Sequence, residues 1–322
     1  MNKLKLGIDV GGTKVAYGLL SEDNKIVYQY QTANDLEITP DEFTEKLCKE
    51  IHDTLEQSGH DLANLSGIAV AMPSYVDYDN GIVITSGSLY KLKNYSIGEQ
   101  LKARFPNASI IIDNDTNVAA LAEHKYGSGK GFHHMVYVAL STGIGTGFII
   151  NDALFRGNYG GAGESGHMII TANQGLTDGC GNQGCFMSYA SGSQIARHAV
   201  KAIEEGTQTL LTGMKDNLLD ITSVDIAAAY KKGDALSTKL IEQSAYYAAM
   251  HIYNLFIAFN INCYVCGGGL TNMGDFYLEK IRTHVDSFNK QENQKIYIKE
   301  ATLKGTSGII GCGVALDDAR KE

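Results

Sequence analysis

The sequence predicts an α/β protein of two lobes built on a duplicated unit. Three observations carry that prediction. The chain has 322 residues, more than one hydrophobic core usually serves, so two domains of about 100–200 residues each are expected. A strand, a glycine turn and a second strand open the sequence and recur about 130 residues later, as an internal repeat would. Between the two sets lies an apolar strand that ends in acid, Ser109-Ile-Ile-Ile-Asp-Asn-Asp115.

Taken in order, residues 4–10, 14–20 and 25–31 read as three short strands separated by Gly-Gly-Thr and Ser-Glu-Asp-Asn, a β-meander with turn chemistry at each break. Thr39 and Glu42 make a capping box around Pro40. Phe43, Leu47, Ile51 and Leu55 then recur every four residues as one helical stripe. Residues 66–72 do not alternate and read as a strand buried on both faces. A turn-rich stretch over 74–97 precedes a short helix at 97–104, the acidic strand, and a helix over 118–127. The second meander begins at Met135. Residues 151–192 are rich in Gly, Asn, Ser and Cys with little periodicity, which marks a long functional or metal-stapled loop. Helices then dominate, including a long apolar one at 235–258. A strand runs into Cys266-Gly-Gly-Gly-Leu270, and a last strand at 295–301 precedes a Gly-rich terminal helix.

Composition narrows the function. With 44% hydrophobic residues, 20% charged, 36 glycines and only 3 prolines, the chain is an ordered globular protein with many tight turns. A formal charge of −9 lacks the dense basic face that a nucleic-acid partner requires. The N-terminus runs straight into a strand, and no stretch approaches a signal-peptide core or a membrane span, so a cytoplasmic protein without a membrane partner is expected. Cysteines at 48, 180, 185, 263, 266 and 312 are too scattered for a disulfide framework. Cys263 and Cys266, three apart in a strand, read as two unrelated buried thiols.

The turn Asp9-Val-Gly11-Gly12-Thr13-Lys14 can cradle a phosphate: glycines admit backbone amides close to an anion, and Thr13 and Lys14 add donors. It is no Walker motif, and taken alone it equally fits a hairpin turn that needs positive φ. Repetition favours the phosphate. Thr142, Gly143 and Gly145 offer the same chemistry in the second unit, and two such turns across a cleft could grip a triphosphate. Gly267, Gly268 and Gly269 leave room for a flat ring such as adenine. Asp9, at the end of the first strand, suits Mg²⁺ held through water.

In this order the segments Leu6–Lys14, Asn114–Asn117, Ser141–Gly147, Gly161–His167 and Cys180–Cys185 resemble the ROK family of bacterial sugar kinases and sugar-responsive repressors. The similarity spans essentially the whole chain. It implies the two-lobed actin-like ATPase fold of the hexokinase, Hsp70 and actin superfamily, with duplicated RNase H-like units and a nucleotide and sugar cleft between them. On this reading the N-terminal lobe covers 1–117, with the terminal helix at about 306–322 packing back on it, and the C-terminal lobe covers 118–305.

The resemblance assigns roles residue by residue. Asn114-Asp115-Thr116-Asn117 closes a strand and opens a helix, so its residues suit N-capping. The family places its catalytic aspartate at Asp115, as general base toward a sugar hydroxyl, with Asn114 as a sugar ligand. Glu164 and His167 resemble its sugar-hydroxyl ligands, and the family positions next to Pro73 and Leu89 are held here by Ser74 and Ser88. His167, Asp178, Cys180 and Cys185 match the family's structural Zn²⁺ set, with aspartate in place of the first cysteine, an oxygen ligand that zinc accepts.

Ser74 and Ser88 are themselves departures, since the family's GxPG turn reads Ala71-Met72-Pro73-Ser74 and its Pro-Asn-Leu segment reads Gly87-Ser88-Leu89. The family glutamate after the last cysteine is Met187, which neither donates nor accepts a strong hydrogen bond. These changes loosen the expectation of glucose. The activity expected is ATP-dependent phosphorylation of a hexose, of glucokinase type, with ATP, Mg²⁺ and structural Zn²⁺. Kinases for N-acetylmannosamine, N-acetylglucosamine, fructose or allose are the alternatives, and a non-catalytic sugar sensor is the alternative of another class. With eight residues ahead of Asp9, no helix-turn-helix of the repressor kind is expected. The family also implies a homodimer.

Overall fold

The computed structural model describes residues 3–171, 175–177, 179–291 and 293–321. β1 (Leu4–Val10), β2 (Lys14–Leu20) and β3 (Ile26–Ala33) form the expected meander, with Ile8 opposite Tyr17 and Tyr17 opposite Tyr30. α1 (Pro40–Gln57) starts at the capping box, where Thr39 and Glu42 satisfy each other's backbone N–H groups. Its stripe of Phe43, Leu47, Ile51 and Leu55 is buried, worth about 1.5–3 kcal/mol per side chain. β4 (Leu65–Met72) is buried along nearly its whole length. The turn-rich stretch contains a hairpin of β5 (Ser74–Asp77) and β6 (Ile82–Ser86), strands too short for periodicity to reveal. α2 (Ile97–Arg104), β7 (Ser109–Asn114) and α3 (Asp115–Lys125) follow.

The second set comprises β8 (Met135–Leu140), β9 (Ile144–Ile150), β10 (Ala153–Phe155), α4 (Met187–Ala190), α5 (Gly192–Glu204), α6 (Ser223–Tyr230), α7 (Ala235–Phe259), β11 (Cys263–Gly267), α8 (Asp275–Phe288), β12 (Tyr297–Glu300) and α9 (Ser307–Asp318). α7 is capped by Asp234, which accepts from the Ser237 N–H, and stops at Asn260 in the left-handed region.

The two five-stranded sheets have the same plan. The first runs β3-β2-β1-β4-β7 and the second β10-β9-β8-β11-β12. In each, three strands in meander order are followed by two parallel ones. The repeat inferred from the glycine turns is therefore a repeat of topology.

The chain forms two compact units. One takes in the chain up to Gly131, Gly147–Ala162 and the chain from Thr302; the other takes in Phe132–Thr146 and Gly163–Ala301. α9 belongs to the first unit, where it packs on β1, β4 and α3. No helix among the described residues is long and apolar enough to cross a membrane.

Candidate active site

Strand register in the first unit brings distant residues to one edge. β4 lies between β1 and β7, parallel to both, and pairs Asp9 with Ala71 and Ala71 with Asp113; one step on, Met72 pairs with Asn114. The carboxyl ends of three parallel strands, the usual location of ligands in such sheets, thus carry Asp9, the Pro73-Ser74 corner and the Asn114-Asp115 turn.

Asn114 is the N-cap of α3. Its Oδ1 accepts from the Thr116 and Asn117 N–H groups at 2.9 and 3.1 Å, and its Nδ2 donates to the Ser74 carbonyl at 3.1 Å. Capping thus falls on Asn114, and Asp115 becomes the first helical residue, partly exposed, with Oδ1 accepting from the Thr116 N–H at 2.8 Å. A carboxylate at that position also gains from the helix dipole. Ser74 pairs with Ser86 across the hairpin, and the Ser86 hydroxyl lies 3.5 Å from that of Ser88. The Ser74 hydroxyl is buried without a hydrogen-bond partner, and such an orphan costs about 1–3 kcal/mol unless a ligand satisfies it.

The first glycine turn is pinned by Gly11 N–H to the Lys14 carbonyl at 2.8 Å and by the Asn34 amide to the Gly11 carbonyl at 2.7 Å. Gly11 and Gly12 do not have positive φ, so backbone conformation does not demand glycine there. At Gly12 a Cβ would meet nothing within 4 Å. The missing side chain leaves open space over the backbone. Burial lifts the Asp9 carboxyl to about 6, against the lowering pull of Lys14. An under-compensated carboxylate of this kind fits a cation.

In the second unit, the turn after β8 is latched to the start of α5. Gly192 N–H donates to the Ser141 carbonyl at 2.8 Å and the Ser193 hydroxyl to the Thr142 carbonyl at 2.8 Å. Gly269 N–H reaches the Ser141 hydroxyl at 3.5 Å. Thr142, Gly143 and Gly269 are thereby gathered. Gly145 lies within β9, and Gly267 and Gly268 pack against Tyr137 and Leu140. A cavity of about 530 Å³ extends from Thr142 along α5, with Ala196, Val200 and Ile221 as apolar wall and Ser193 and Arg197 as polar lining. Sequence reasoning missed this wall, although the Ser191-Gly-Ser193 helix start signals it.

Glu164 is the N-cap of a short 3-10 turn, Ser165–His167, that ends on His167. Burial raises the Glu164 carboxyl above its ordinary range, with His167 opposing. Ser165 between them is buried and bonded to Thr146 Oγ1 at 3.0 Å and to His251 Nε2 at 3.1 Å. Residues 168–170 run beside 184–186, with Phe186 N–H donating to the Met168 carbonyl. That pairing sets His167 beside Cys180 and Cys185, with ligand atoms within 4.8 Å of one another. The two sulfurs are 3.7 Å apart and not disulfide-bonded. One histidine and two thiols form a donor set that zinc accepts. Asp178 lies outside the described residues. Met187 packs toward the second glycine turn, its Cε 3.8 Å from where a Gly143 Cβ would be. Cys263 and Cys266 are both buried thiols of β11, unpaired as disulfides.

The ROK family model matches residues 5–318. This chain belongs to the ROK family. It is 28% identical to a glucokinase from Halalkalibacterium halodurans, across 96% of this chain and 93% of that one. It is likewise 28% identical to the xylose repressor of Bacillus subtilis, across 88% of this chain and 68% of the repressor. The structure superposes on that of a ROK family glucokinase from Streptomyces griseus in complex with glucose and AMPPNP, with a TM-score of 0.83, 27% identity and coverage of 99% and 100%. The fold is accordingly the mixed α/β, actin-like ATPase fold of the ROK glucokinases, as the sequence predicts.

Proposed function

We propose that this ROK protein is an ATP-dependent sugar kinase. The observation that carries the proposal is the row of strand ends in the first unit, which sets Asp9 and the Asn114-Asp115 turn on one edge beside an open glycine turn. Asp115 accepts the proton of a sugar hydroxyl as that oxygen bonds to the γ-phosphorus of ATP; the bond from the γ-phosphorus to the bridging oxygen breaks, and ADP leaves. The first unit supplies Asp115, the sugar contacts Asn114, Ser74 and Ser88, and the phosphate donors of Gly11, Gly12, Thr13 and Lys14. The second supplies Thr142, Gly143 and Gly145 for phosphate, Gly269 and the α5 cavity for adenosine, and Glu164 and His167 for sugar hydroxyls.

Mg²⁺, when bound, neutralises the phosphates, and Asp9 is the residue to hold it through water. Zn²⁺ on His167, Cys180 and Cys185, with Asp178 as fourth ligand, would brace the Glu164–His167 segment and take no part in the chemistry. The unit of function proposed is a homodimer in the cytoplasm.

Turnover of ATP against a panel of hexoses, N-acetylhexosamines and ketoses, with Asp115→Ala as control, tests the reading. One productive sugar, lost in the variant, supports it and names the substrate. Sugar binding without turnover by the wild type would favour a non-catalytic sensor, a second reading motivated by Met187 and the similarity to xylose repressors.

A further inference from the structure

Asp113 is a buried charge that the chemistry above does not use. It is 2% exposed, and both of its oxygens are fully engaged. Oδ2 accepts from Arg156 Nε at 3.0 Å and Nη2 at 2.7 Å. Oδ1 accepts from the Asn114 N–H at 2.8 Å and from Asn117 Nδ2 at 3.1 Å. The carboxylate therefore grips both the start of the Asn114-Asp115 turn and the first turn of α3. On its other side the Arg156 guanidinium lies over the Tyr78 ring, 3.6 Å from the centroid. Tyr78 sits at the bend between β5 and β6. The chain after Arg156 stays on this hairpin: a Cβ at Gly161 would fall 1.9 Å from the Tyr75 hydroxyl.

A buried ion pair is weak evidence for stability, because desolvation offsets most of its attraction, and apolar residues of similar volume often serve as well. What it offers is direction. Its bonds fix the backbone at Asn114 and link it, through one planar guanidinium, to the hairpin that carries Ser74 and Ser86, with Ser88 just beyond its second strand.

We propose that Arg156, through Asp113 and Tyr78, is a positioning residue that aims Asp115 and holds the β5–β6 hairpin in register with it. The inference rests on the sugar-site reading above. Displacement of a reacting group by about 1 Å costs on the order of 10²-fold in rate. Arg156 touches neither reacting atom, so its loss acts on kcat and sugar KM and leaves ATP KM alone.

The test uses the full chain and four proteins: wild type, Arg156→Met, Asp113→Asn and the double variant, each measured for melting temperature, kcat, KM for sugar and ATP, and sugar Kd by calorimetry. Arg156→Met leaves a buried charge unpaired and should lower both melting temperature and kcat/KM. The double variant removes the orphaned charge, so melting temperature should recover while kcat/KM for sugar stays about 10²-fold down. Activity recovering together with melting temperature would overturn the proposal and leave the pair as core packing. If the wild type turns over no sugar, the kinase reading fails on its own, and the Kd decides: weakening of about tenfold or more in the double variant supports positioning, and an unchanged Kd, or no sugar bound by any of the four, overturns it.

Discussion

Gly308 stands directly against Asp9. A Cβ on Gly308 would fall 2.3 Å from the Asp9 Oδ2, closer than any real side chain approaches a carboxylate, and Gly308 is the second residue of α9. The last helix of the chain thus closes on the acid at the end of its first strand. Gly308→Ala must push either Asp9 or α9 aside. We expect a stability loss of about 1–3 kcal/mol and, on the kinase reading, a higher KM for Mg-ATP with little change in sugar KM. Unchanged Mg-ATP KM in a destabilised variant would show either that α9 alone gave way or that Asp9 does not serve the nucleotide, and the Asp9→Asn variant below separates the two.

Asp9 should set a pH dependence of its own. Burial raises its carboxyl from 3.8 to about 6, so the native state holds this proton more tightly than the unfolded chain. Its contribution favours folding below about pH 4 and is lost as pH rises through 6, by up to about 3 kcal/mol. Asp9→Asn should therefore raise the melting temperature of the apo protein at pH 7.5 while weakening Mg-ATP. Wild-type Mg-ATP affinity should fall as pH drops below 6. A variant less stable than wild type at pH 7.5 would contradict the assignment.

His251 has the opposite sense. It is fully buried, stacked on Phe186 at 4.3 Å and bonded to Ser165, and burial lowers its pKa to about 3. A depressed histidine contributes stability that is present above about 6.5 and lost as pH falls toward 3. At pH 5 the loss is about 2 kcal/mol. Urea unfolding at pH 7 and pH 5 measures it, and His251→Gln should flatten the difference. An equally steep difference in that variant would place the acid sensitivity elsewhere.

Zinc content gives an independent check of the second unit. About one zinc per chain is expected, and chelation should lower the melting temperature and raise sugar KM without raising ATP KM, because His167 adjoins Glu164. Cys180→Ser should do the same more mildly. A chelated protein with unaltered melting temperature would show that the segment folds without metal.

Much of the fold was legible. Strands 4–10 and 14–20 and the helix begun by Thr39 follow from alternation, turn residues and a capping box, all of which act over a few neighbours. The glycine turns, read twice, foretold that both sheets share one strand order. The β5–β6 hairpin was not legible, since strands of four and five residues are too short to show a period. α8 was not singled out either, although Leu278, Ile281 and Val285 make a buried face.

Within the candidate site, sequence determined residue types: a carboxylate where strand becomes helix, glycines in two turns, one histidine and two cysteines in a loop. These are local patterns, and one chain carries them openly. Tertiary structure alone decided which residues each of them meets. It made Asn114 the cap and Asp115 the first helical residue, gave Gly12 open space instead of a positive φ, and joined Arg156 to Asp113, Gly308 to Asp9 and His251 to Ser165. Those pairs are separated by tens to hundreds of residues, so they exist only once strand register and helix packing have brought them within bonding distance.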